Sequence, residues 1–102
     1  MAGKLPVDVP KEKLADFCRR YRIRKLSFFG SVLRKDFKPN SDVDVLVEFE
    51  PDTKAGLFTF ARIERELSQL LGRKADLNTE GFLSQYYKEE VLREAEVQYV
   101  AT

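Results

Sequence analysis

The stretch Leu26-Ser27-Phe28-Phe29-Gly30-Ser31-Val32-Leu33-Arg34-Lys35-Asp36-Phe37-Lys38-Pro39-Asn40-Ser41-Asp42-Val43-Asp44-Val45-Leu46-Val47-Glu48-Phe49-Glu50 decides how the rest of the chain is read. It divides into an apolar run, a Gly-Ser turn, a polar loop and a second run in which valines alternate with acids. Side chains of a strand alternate between its faces, so Val43, Val45 and Val47 share one face while Asp42 and Asp44 project from the other. The valines give the strand a face to bury, and the acids stand at its open beginning. Two carboxylates this close repel each other. A divalent cation relieves that repulsion, and an all-oxygen donor set completed by water and phosphate suits Mg²⁺.

Upstream, Gly30 and Ser31 sit where the apolar run Leu26 to Phe29 gives way to helical spacing. Gly30 permits a tight turn or the close approach of a ligand to the backbone. Ser31 falls at or beside the N-cap of a short helix expected over 31–36, whose free amides and dipole favour an anion. Taken alone it is an ordinary cap. Arg34, three residues on, shares that helical face and can add its charge to a bound phosphate. Lys38-Pro39-Asn40-Ser41 cannot continue the helix and resets the chain for the second strand.

A Gly-Ser pair, ten residues, then Asp-x-Asp is the spacing of the nucleotidyltransferase superfamily related to the palm of polymerase-beta-type enzymes. The sequence resembles its small stand-alone branch, the minimal nucleotidyltransferases, at Gly30, Ser31, Arg34, Ser41, Asp42, Asp44 and the flanking valines. The likeness runs from about Leu14 to Tyr99, and its specific part is the Gly-Ser to Asp-x-Asp core. Val32 and Lys35 depart from the common form, where many members carry Arg and Gly, and Lys35 leaves the turn less glycine-rich.

Length and composition set the frame. With 102 residues, 43% apolar and 34% charged, the chain reads as one globular domain over 1–102, with residues 1–8 a loose arm. No apolar run approaches the ~20 residues that cross a bilayer, and no secretory leader is evident, so a cytoplasmic protein that avoids the membrane is expected. A net charge of +1 argues against a general nucleic-acid binder. The single cysteine, Cys18, excludes an internal disulfide and falls on the apolar face of an expected helix. Without histidine, chemistry must rest on carboxylates, hydroxyls and an exogenous metal.

The remaining elements follow from spacing. Leu14, Phe17, Cys18 and Tyr21 place a helix over about 10–22, whose last turn carries Arg19, Arg20 and Arg22. Those cations complement the helix dipole, or they face an acidic patch on a partner. The first strand is expected over about 25–29. Leu57, Phe60, Ile63, Leu67, Leu70 and Leu71 mark the longest helix, stopped by Gly72, with Arg62, Glu64, Arg65, Glu66 and Gln69 outside. A short strand follows at 73–78, and the crossover brings Asp76 beside Asp42 and Asp44. A last helix over about 84–95 and an edge strand at 97–100 complete an α/β (α+β) domain. Its small mixed β-sheet of three to four strands has the acidic strand central, and its helices pack mainly on one face.

The resemblance implies a nucleotidyltransferase, polymerase-beta palm-like fold and transfer of a nucleoside monophosphate, AMP from ATP, to a hydroxyl acceptor. It implies Asp42, Asp44 and Asp76 as catalytic and metal-holding residues, with two Mg²⁺ ions ~3.5–4 Å apart. Gly30, Ser31 and Arg34 would then hold the triphosphate. By the same likeness the partner is a HEPN-domain toxin, the acceptor one of its tyrosines, and the chain its antitoxin. A lone acid at a strand edge is also an ordinary structural feature, and only the likeness gives Asp76 its role. A second reading makes the chain a non-catalytic module that neutralises a partner by occlusion. Self-association is left open.

Overall fold

The computed structural model describes residues 9–33, 42–79 and 85–101, the side chains of Ser31, Gln85, Tyr86 and Tyr87 excepted. Among these, three helices and four strands follow in the order α1 (Lys11–Arg20), β1 (Ile23–Phe29), β2 (Val43–Phe49), α2 (Leu57–Leu71), β3 (Ala75–Asn78), α3 (Gln85–Glu94) and β4 (Glu96–Val100). A single 3₁₀ turn, Gly30–Leu33, leaves β1. The sheet order is β3-β2-β1-β4, so the acidic strand β2 is central. β1 runs antiparallel to both β2 and β4, whereas the crossover through α2 makes β3 parallel to β2.

The alternation expected of β2 is what divides the molecule into layers. Val43, Val45 and Val47 join Leu26 and Phe28 of β1 and Ala75 and Leu77 of β3 in one apolar layer. Against it pack Leu14, Phe17 and Cys18 of α1 and Ile63, Leu67 and Leu71 of α2. Each fully buried aliphatic side chain there stabilises the fold by roughly 1.5–3 kcal/mol. The opposite sheet face carries a smaller cluster, Phe29, Leu46 and Val91, with Ala95 against it. Thus α1 and α2 cover one face and the end of α3 covers part of the other. Asp44 has the parity of Leu46 and lies on this second, more open face.

Several boundaries differ from the spacing. β1 begins at Ile23 rather than near 25, because a bulge at Arg24 breaks the two-residue alternation that marks a strand. Leu57, expected on the buried stripe of α2, is 86% exposed, and Phe58 is 93% exposed. Six residues before Ile63, Leu57 is turned roughly 120° away from it on a helix. The buried stripe of α2 is Ile63, Leu67 and Leu71, with Phe60 and Leu70 at its margin. Gly72 ends α2 in the left-handed conformation, φ 70°, which glycine adopts without strain.

Cys18 is fully enclosed, and burial pushes its thiol up to about 12. A thiol that stays protonated and covered does not attack. Native protein at pH 8 should therefore resist a thiol-specific reagent for as long as it stays folded. One equivalent should react at once in denaturant, and fast labelling of the native protein would contradict this packing.

Candidate active site

The site is built by the start of β2, the turn after β1 and the edge strand β3. Strand pairing sets Asp44 directly against Phe29 on one side and against Asp76 on the other. Paired residues on adjacent strands point to the same face at a strand spacing of ~4.8 Å, so the two carboxyls stand side by side. Asp42 lies one residue before β2, at the same parity as Asp44, and is exposed, as is Asp76. The three acids therefore meet at one rim of the sheet, where the crossover was expected to bring them.

Electrostatics record that convergence. The Asp44 carboxyl is raised from its ordinary value, first by burial, then by the negative charges of Asp76 and Asp42 and by a hydrogen bond shared with Asp76. Each cause disfavours the ionised form. Among the described residues, no three acidic or cysteine side chains already close around a common point as a metal cage would. The pairing of Asp44 with Asp76 and the charge of Asp42 nevertheless leave an excess of negative oxygen at this rim that a hard divalent cation would neutralise. The donor set fits Mg²⁺.

A carboxyl raised in the folded state makes the fold more stable where it is protonated. That contribution is fully present below the unfolded Asp value and is lost as pH rises through the higher folded value. In chelator, the melting temperature of the wild type relative to Asp44→Asn should therefore fall with rising pH across the acid range. At neutral pH the variant should melt higher. Parallel curves for the two proteins, followed by circular dichroism, would contradict the crowding of charge at Asp44.

Gly30 completes the inner wall. Its φ is 76°, a left-handed conformation costly for residues with a side chain, and a Cβ built there would run into Asp44 Oδ2 and lie 3.3 Å from Cγ. Only glycine lets the turn close over the acid. The expected helix over 31–36 is described only to Leu33, as the 3₁₀ turn. The side chain of Ser31, and Arg34 and Ser41 entirely, lie outside the described residues. Two clefts elsewhere contain none of the motif residues. One, of about 410 Å³, lies where β1 begins, and the other, of about 580 Å³, lies between α1 and α2.

Sequence reasoning put Glu64 on the outside of α2 and so missed the support beneath Asp76. Glu64, expected to be solvated, accepts a hydrogen bond from the Leu77 amide at 3.0 Å, and Ser68 accepts one from the Ala75 amide at 2.8 Å. The sequence signal was a polar pair at i and i+4 flanking the buried stripe of α2 on the side that turns towards β3.

The nucleotidyltransferase domain matches residues 11–97. Protein adenylyltransferase MntA of Thermococcus cleftensis is 39% identical over 75 residues, 74% of each chain. A Methanocaldococcus jannaschii protein named as a protein adenylyltransferase, MJ0435, is 32% identical over 85 residues, 83% of this chain and 89% of that one. A solved minimal nucleotidyltransferase superposes with a TM-score of 0.69 at 36% identity, covering 84% of this chain and 86% of the other. A toxin–antitoxin structure with AMP-PNP gives a TM-score of 0.71 at 19% identity over 92% of this chain and 76% of that one, a likeness of fold. A chain matched by this domain over most of its length, and by relatives over most of theirs, belongs to the nucleotidyltransferase family and is an enzyme of that class.

Proposed function

We propose that this chain transfers AMP from ATP to a tyrosine hydroxyl of a HEPN-type partner protein, and that it serves as the antitoxin of that pair. The observation that carries the reading is the pairing of Asp44 with Asp76 beneath a glycine that fits nothing larger. The relatives named as protein adenylyltransferases support a protein acceptor. Solved MntA–HepT toxin–antitoxin structures of the same fold support a toxin as that acceptor, and the AMP-PNP structure supports ATP as donor.

In this transfer the tyrosine oxygen attacks the α-phosphorus, the bond to the β-phosphate oxygen breaks, and pyrophosphate leaves with the electron pair. Little covalent participation is asked of the protein; the step needs alignment and neutralised charge. Asp42, Asp44 and Asp76 would hold Mg²⁺, which when bound neutralises the phosphates and lowers the pKa of the attacking hydroxyl. Asp76, exposed at the rim, would either complete the cation site on the acceptor side or accept the tyrosine proton. Gly30 keeps the turn against Asp44, and the Ser31 side chain and Arg34, which lie outside what the structure describes, would bind the triphosphate. Absence of histidine from the sequence is no obstacle to this division of labour.

The test is an intact-mass and peptide-mapping experiment on a HEPN-domain protein encoded beside this one, incubated with the chain, ATP and Mg²⁺. The expected result is one or more adenylates on a partner tyrosine and loss of the partner's toxicity. A partner silenced without ATP, and without any added mass, would leave occlusion as the function.

A further inference from the structure

β3 is a four-residue edge strand, and edge strands with so few bonds are easily displaced. One side pairs with β2. On the other, the outward amides of Ala75 and Leu77 would ordinarily go to water. Here the Ala75 amide donates to Ser68 Oγ at 2.8 Å and the Leu77 amide to Glu64 Oε2 at 3.0 Å. Ser68 Oγ in turn donates to the Glu64 carbonyl at 2.7 Å, which fixes its rotamer on α2. Glu64 and Ser68 stand at i and i+4 on one helix face, Ala75 and Leu77 at i and i+2 on the strand. Asp76 is the residue between the two tethered amides.

We infer that Glu64 and Ser68 are positioning residues for nucleotidyl transfer. Their two bonds fix the height of β3 along β2 and thereby hold the Asp76 carboxylate level with Asp44. The inference rests on the proposed reading of the three acids as the transfer site, and it adds residues that touch neither metal nor nucleotide. The physical case lies in the bonds themselves. A carboxylate accepting a backbone amide makes a charge-assisted bond, stronger than a neutral pair. Both tethers are partly buried, where removing an acceptor leaves an amide unpaired. α2 is anchored by Ile63, Leu67 and Leu71 in the main core, so the tethers refer Asp76 to that buried core. Lost support of a site ligand typically costs about 10–100-fold in activity.

The experiment compares wild type, Glu64→Ala, Glu64→Gln, Ser68→Ala and Asp76→Asn in transfer of labelled AMP from ATP to the partner tyrosine. Amide exchange at Leu77 and melting temperature are read on each. Glu64→Ala should lower kcat by about 10–100-fold, leave the KM for ATP within about threefold, and speed exchange of the Leu77 amide. Glu64→Gln keeps an oxygen acceptor and should recover most of kcat. If Leu77 exchange speeds up and kcat stays at the wild-type value, the tether is structural only and the inference is overturned. It is equally overturned if Glu64→Gln fails to restore kcat although its melting temperature matches the wild type. A wild-type rate in Asp76→Asn would instead overturn the transfer site itself and leave the tether nothing to position.

Discussion

Asp44→Asn is expected to lower the rate of AMP transfer by about 10³-fold, the scale on which loss of one preorganised charged group acts in a closed site. Asp44 is the innermost of the three acids, flanked by Phe29 and Asp76 in the sheet and overlain by Gly30. An amide there keeps the size and the packing, and removes the negative charge that a cation requires. The folded protein does not suffer, because the charge being removed is one that burial and the neighbouring acids oppose. Loss of transfer with a melting temperature in chelator at or above the wild-type value is the combination that separates a site residue from a structural one. Activity that fell only in step with stability would argue the reverse.

The second large effect belongs to Gly30. Gly30→Ala meets two obstacles, a left-handed backbone that costs about 1–2 kcal/mol for an ordinary residue and a methyl group placed against the Asp44 carboxylate. Neither obstacle can be relieved without shifting the turn or the acid. A displacement of the order of 1 Å at a reacting centre is enough to cost about 10²-fold in rate. Gly30→Ala should therefore lose about 10² in kcat and also melt lower, unlike Asp44→Asn. Kinetics at saturating ATP together with thermal melts check both halves. Wild-type activity in Gly30→Ala would show that the turn does not set the position of Asp44.

Much of this arrangement could be read from residue order. The alternation of Val43, Val45 and Val47 with Asp42 and Asp44 assigns the faces of β2 without coordinates, and the length of the α2 crossover places Asp76 beside them. What escaped was set by tertiary geometry. Leu57 matches a helical stripe by type, yet its direction carries it off the core. Arg24 sits at a bulge, and a bulge erases the alternation by which a strand is recognised. Glu64 resembles any solvated helix acid, because the amide it binds lies thirteen residues away in another element. α3 reaches the second sheet face through Val91, with Ala95 just past its end, and nothing in their spacing says which face is free.

The remote end of the molecule bears a different character. Arg20 reaches Glu66 at 3.6 Å and Arg19 reaches Asp16 at 2.6 Å, all at least partly exposed, so these pairs contribute little to stability. They give the α1 arginines ordinary partners within the fold. The acids of the rim have no such cation among the described ion pairs.

Whether Asp44 and Asp76 act as one centre is most directly decided by a double-mutant cycle on transfer. Asp44→Asn, Asp76→Asn and the double variant are compared with wild type for AMP transfer to the partner at saturating ATP and Mg²⁺, with sensitivity reaching below the slowest single variant. Groups that work as a unit are strongly non-additive, so the double variant should be about as slow as the worse single one. Losses that multiply would mean that the two acids serve separate functions, and a single shared site at this rim would be wrong.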